Sequence, residues 1–192
     1  MSGLRLAALY SYPPCRLGFC GQKIKQTSEI LENFLKGKAV DENKVRQVLS
    51  TFEAAYPYYV LIAKSNRITD PLNAKVVEAY WLGNELLEQV RVNDLKNLII
   101  KEFTRPGLLS LSTAKKRCRR IGPKAVAHHS FHVLVVGSVT GRVKFDERRR
   151  QLCQISWQEE AGKFISYHWG QRCQILTQKQ KDNLEKYTRK TI

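Results

Sequence analysis

The hydrophobic period changes once along this chain, near Gly122-Pro123. Before that point apolar residues recur every three or four positions, the spacing that puts them on one face of a helix. After it, short runs alternate apolar and polar residues among β-branched and aromatic side chains, the spacing of half-buried strands. Runs of helices followed by runs of strands make a segregated α+β fold. The expected architecture is an N-terminal helical part of about five or six helices, then a small antiparallel β-sheet or partial barrel. The divisions expected are residues 1–122 for the helical part with an N-terminal Pro/Gly/Cys loop, 123–178 for the β part and 179–192 for a basic tail.

At 192 residues and 43% hydrophobic, the chain is long and apolar enough to bury a core, which excludes a disordered class. Its longest apolar runs, such as 131–137, are too short to cross a bilayer, so no membrane span is expected. The first ten residues lack the charged and apolar regions of a signal peptide. A cytoplasmic location is expected. The five cysteines fit that setting: the number is odd and none forms a C-x-x-C pair, which argues against a disulfide framework and a closed zinc site.

Within the first part, Pro13-Pro14 is expected to keep residues 10–21 out of a helix. Thr27 or Ser28 is a candidate cap for a helix ending at Gly37, and Asp41 for the next. Asp70-Pro71 predicts a helix from about Pro71 to Gln89, with Gly83 inside it. Asn93 and Ser112 are expected to start two more, the second being the basic run Lys115 to Arg120. Strands are expected within 126–136, 142–145, 152–157, 164–169 and 173–176.

Three of the four histidines, His128, His129 and His132, fall within five positions at the entrance to the β part. On one regular strand His128 and His132 would share a face yet lie about 13 Å apart, too far for one metal ion. A shared site therefore requires His128 and His129 to precede the strand, with further ligands from elsewhere. Cys20, in the Pro/Gly loop, is the natural one, and Glu78 and Glu85 could add carboxylates. A mixed set of Cys20, His128, His129 and His132 would suit iron, nickel or zinc. Cys20 and His129 could instead be a nucleophile and its base, the pair needed by a Cys–His enzyme acting on a small molecule. The plain alternative is that these histidines are polar residues satisfied at the junction of the two parts.

Net charge is +16, and residues 101–192 carry +13 of it. A basic half beside a small β structure supports an alternative reading, a nucleic-acid-binding module. Its candidate contacts are Lys115, Lys116, Arg117, Arg119 and Arg120, with Arg148, Arg149, Arg150 and the tail. The same basic neighbours would lower the pKa of Cys118 if it is exposed. There is no Walker A loop, no G-x-G-x-x-G and no G-x-S-x-G, so the corresponding nucleotide-binding loops and hydrolase elbow are not indicated.

Several stretches together resemble an uncharacterised bacterial family, a domain of unknown function. They are Tyr12-Pro13-Pro14 with Leu17 to Gly21, Phe52-Glu53 with Ala55 to Tyr58, and Asp70-Pro71-Leu72 with Val76 to Trp81 and Gly83-Asn84. His128 to Val133 and Cys153 with Ile155 to Trp157 complete the set. The chain departs from the family's pattern at Cys15, Ala127 and Gln158, where a polar residue, a proline and a glycine are usual. Tyr12, Glu78, Trp81, Asn84, Glu85 and Ser130 are the candidates to contact a substrate or to support the Cys/His site. Some similar proteins are encoded among nickel–iron hydrogenase genes, which implies an accessory role in metal handling or hydrogenase maturation. A metalloenzyme subunit or maturation protein would then be the partner.

Overall fold

A computed structural model describes residues 1–17, 25–104, 109–128, 135–138, 142–144, 152–154, 164–168 and 171–191. Among the described residues seven helices precede the strands: α1 (Gly3–Arg16), α2 (Lys25–Leu35), α3 (Glu42–Ser50), α4 (Tyr56–Ser65), α5 (Ala74–Trp81), α6 (Val92–Phe103) and α7 (Leu111–Arg120). A short 3₁₀ turn, Glu85–Gln89, links α5 to α6. Strands β1 (Val135–Ser138), β2 (Arg142–Lys144), β3 (Leu152–Gln154), β4 (Phe164–His168) and β5 (Gln171–Leu176) follow, and α8 (Gln178–Thr191) closes the chain. The fold is α+β, as the change of period predicts. No helix among the described residues is long and apolar enough to cross a membrane.

The strands form two antiparallel sheets. One has the order β1-β4-β5 and the other pairs β2 with β3. In the larger sheet Ile165 faces Ile175, and a bulge interrupts the β4–β5 ladder between Ser166 and Tyr167. The two halves of the chain share one core. Tyr10, Leu31, Tyr59, Ile62 and Tyr80 from the helices pack in one apolar cluster with Cys173, Leu176, Leu184 and Tyr187.

Helix α1 corrects the expectation of a loop at Pro13-Pro14. Both prolines lie inside the helix. A proline there has no N–H, so the carbonyl four residues earlier loses its helical donor. Those carbonyls belong to Leu9 and Tyr10. The sheet supplies replacements: Cys173 Sγ lies 3.7 Å from Leu9 O, and His168 Nδ1 lies 2.5 Å from Tyr10 O. The helix survives its prolines because β4 and β5 satisfy what they leave open. At its other end Gly3 permits close approach: a Cβ there would sit 2.0 Å from Leu72 O.

The long helix expected from Pro71 to Gln89 is also corrected. Asp70 closes a turn by accepting from Leu72 N at 2.9 Å and forks both carboxylate oxygens onto Arg46, each at 3.1 Å. Asn73 is the true cap of α5, its Oδ1 accepting from Lys75 N at 3.0 Å. Gly83, at φ 83°, ends the helical path, a backbone conformation that costs glycine little and other residues more. Arg91 rather than Asn93 precedes α6. Ser110 rather than Ser112 caps α7. Asp41 caps α3 as expected.

The basic tail forms α8 and returns to the helical part. Gln180 Nε2 donates to Glu78 at 3.0 Å. Tyr187 donates its hydroxyl to Glu88 at 3.0 Å, and Lys186 and Lys190 pair with the same carboxylate at 3.3 and 3.8 Å. Together the tyrosine hydrogen bond and the lysines hold the Glu88 pKa below its ordinary value.

Candidate site at the helix–sheet junction

After α7 the chain turns at Gly122 to Lys124, with Ala125 N donating to Gly122 O at 3.2 Å. It then bends at Ala127 and His128. Ala127 is fully buried and His128 is 2% exposed. Neither ring nitrogen of His128 has a hydrogen-bond partner among the described residues. Burial alone lowers its pKa to about 3, so the ring is neutral at pH 7 and keeps a free lone pair. A buried polar group left unsatisfied is uncommon in a folded protein and calls for an explanation, such as a bound ion or water. Of the expected ligand set only this residue is described. Cys20, His129, His132 and Ser130 lie outside the described residues, as do Arg148, Arg149 and Arg150. Among the described residues no group of three or more His, Cys, Asp or Glu side chains could hold a metal.

A second histidine, which the linear clustering of the other three obscures, is the better anchored. His168 is 3% exposed and donates from Nδ1 to the Tyr10 carbonyl. A carbonyl only accepts, so the proton is on Nδ1, and in the neutral ring the lone pair is on Nε2. The imidazole lies against Trp81, with ring centroids 4.9 Å apart. Trp81 in turn stacks on Tyr10 at 4.9 Å and 13°, and its indole N–H donates to the Tyr59 hydroxyl at 2.5 Å. The Tyr10 hydroxyl meets Ser166 Oγ at 2.5 Å. Burial, then the nearby Cys173, raise the Tyr10 pKa well above its ordinary value, so this phenol stays protonated. Ser166 and His168 share one face of β4 because they are two residues apart. That alternation was readable in Phe164-Ile165-Ser166-Tyr167-His168. The partner of His168 was not, because it is a backbone carbonyl exposed by prolines expected to break the helix.

The residues expected around the site divide. Trp81 joins the His168 cluster, and Glu78 lies close enough to contribute to the raised Tyr10 pKa. Asn84 is committed to structure: its Oδ1 accepts from Leu86 N at 3.0 Å and its Nδ2 donates to Lys75 O at 2.9 Å. Tyr12 is half-buried on α1, where partial burial and then Glu32 raise its pKa. Glu85 is exposed on the 3₁₀ turn. An open groove of ≈ 560 Å³ beside α4 and α6, lined by Tyr56, Val60 and Leu98 among others, contains none of the candidate residues.

The described cysteines lie inside the fold. Cys15, Cys118 and Cys173 are all buried. Burial pushes the Cys173 thiol far up, and the Cys118 thiol up as well. The exposure on which a lowered Cys118 pKa depended is absent. The Cys118 side chain turns inward to Lys96 O at 3.6 Å, and desolvation outweighs the charge of Lys96. Lys115, Lys116, Arg117, Arg119 and Arg120 are exposed on α7.

The helices, the sheet clasped to α1 and the buried histidines define an α+β protein with a polar seam between its two parts. The chain belongs to a family described as a family of unknown function (DUF6390), whose model matches residues 1–141. That match takes in α1 to α7, His128 and β1, while β2 to β5 and α8 follow it. No curated protein and no solved structure matches the chain.

Proposed function

We propose that this protein is a cytosolic accessory factor that takes up a transition-metal ion, or a fragment of a metallocentre, through His128 for delivery to a metalloenzyme. The observation that carries the reading is a buried imidazole, neutral at pH 7, with both nitrogens lacking partners among the described residues. Such a ring needs no deprotonation to become a ligand, and its burial excludes competing water. Iron, nickel and zinc all accept imidazole nitrogen. His128 is only one donor, so the reading requires others, for which Cys20, His129 and His132 are the sequence candidates. The resemblance to proteins encoded near nickel–iron hydrogenase genes favours nickel or iron as cargo and a hydrogenase subunit or maturation protein as recipient.

Metal uptake tests this directly. Reduced, purified protein is incubated with Ni(II), Fe(II) or Zn(II), desalted and measured by elemental analysis. The expected result is close to one equivalent of one metal, lost in His128→Ala and reduced in Cys20→Ser. A protein that retains none of the three, or a His128→Ala variant that retains as much as wild type, overturns the proposal.

A further inference from the structure

The net charge of +16 is not spread as free charge. In α8 three of the four lysines are answered within the molecule: Lys181 pairs with Glu185 at 2.9 Å, and Lys186 and Lys190 pair with Glu88. Helix α7 differs. It contains no acidic residue, and Lys115, Lys116, Arg119 and Arg120 are exposed and make no ion pair among the described residues. Arg117 is set apart from these four, being close enough to Tyr58 to counter the rise in that tyrosine's pKa.

The four cations form a regular array. Lys115 and Arg119 are one helical turn apart, as are Lys116 and Arg120, so two columns run side by side, the Cα atoms within each about 6 Å apart along the axis. The opposite face is anchored, since Ala114 and Cys118 are buried. The array is therefore held on a rigid element rather than on a loose tail. Clustered cations on one helix are the electrostatic footprint of a phosphate backbone. Helix α7 carries no aromatic side chain on which single-stranded bases could stack. It exposes one apolar residue, Leu111, too little to insert into a lipid surface.

We infer that α7 is a sequence-independent docking surface for the phosphate backbone of a nucleic-acid duplex, with Lys115, Lys116, Arg119 and Arg120 as its contacts. The surface is separate from His128, and its failure would leave the metal proposal standing.

Equilibrium binding to a 20-base-pair random-sequence DNA duplex, an RNA duplex of the same length and poly-glutamate tests it across a salt series. Four phosphate contacts contribute about −3.5 to the slope of log K against log salt, a loss of roughly 100-fold between 50 and 200 mM. Combining Lys115→Gln, Lys116→Gln, Arg119→Gln and Arg120→Gln should remove that part of the slope and weaken duplex binding at least 10-fold at 50 mM salt. Because the four side chains are exposed, the variant should keep the wild-type circular dichroism and melting temperature. Lys186→Gln with Lys190→Gln, which removes paired charge, should leave duplex affinity unchanged. The DNA and RNA arms show which duplex is preferred. Absence of binding at 50 mM salt overturns the inference, as does an unaltered slope in the α7 variant or an equal loss in the α8 variant. Poly-glutamate competing as well as either duplex would assign the surface to an acidic protein partner instead.

Discussion

His128 gives up its normal titration by being buried. Its pKa lies near 3 in the folded protein and near 6.5 in an unfolded chain. Between those values the unfolded state takes up a proton that the folded state refuses, so stability falls as pH drops through that window. Metal-free wild-type protein should lose about 2 kcal/mol between pH 6.5 and pH 5 that a His128→Gln variant does not lose. Urea midpoints at the two pH values check this, and parallel curves for the two proteins would refute it. His128 was legible as a candidate because it sits in a dense cluster. His168 was not, because a single histidine in an alternating strand looks like any other inward polar residue. Its importance depends on which atom it faces, and that atom is 158 residues away.

At the level of the element, α1 and the β4–β5 pair are complementary. Pro13 and Pro14 delete two helical donors, and the sheet returns two. His168→Ala should cost about 3 kcal/mol, through the lost ring packing and the Tyr10 carbonyl left without that donor. Pro14→Ala restores an N–H within reach of the same carbonyl. In that background the cost of His168→Ala should shrink by about 1 kcal/mol, a coupling that a double-mutant cycle measures by chemical denaturation. Additive effects would show that the proline and the histidine do not share the carbonyl. Helix ends were readable where a short polar side chain caps its own turn, as with Asp41. They were misread where several candidates compete: Asp70 closes a turn while Asn73, three residues on, caps the helix. Proline was judged by local rules alone, and the distant strands that override those rules leave no mark in the local sequence.

Across the whole molecule, the change of period near Gly122 located the passage from helices to strands but did not reveal that the last strands and helix complete the first core. Leu176, Leu184 and Tyr187 are buried with the N-terminal helices. Gly83 records that packing: a Cβ there would come within 2.3 Å of the Tyr187 ring. A chain ended at residue 163 should therefore lose cooperative unfolding and bind a hydrophobic dye, although it contains the whole family-matched region. Near-ultraviolet circular dichroism equal to that of the full chain would contradict this. Composition marks residues 179–192 as a basic tail. Its binding to Glu78 and Glu88 depends on which carboxylates the fold brings beneath it, and composition carries no such information.

The reach from Tyr10 to His168 also sets a schedule. At synthesis rates of about 5–20 residues per second, the donor for the Tyr10 carbonyl leaves the ribosome roughly 8–30 s after its acceptor. During that interval α1 has its prolines but not its strands. Helix α1 is thus made well before it is secured, and closure of this fold waits for β4 and β5 to emerge.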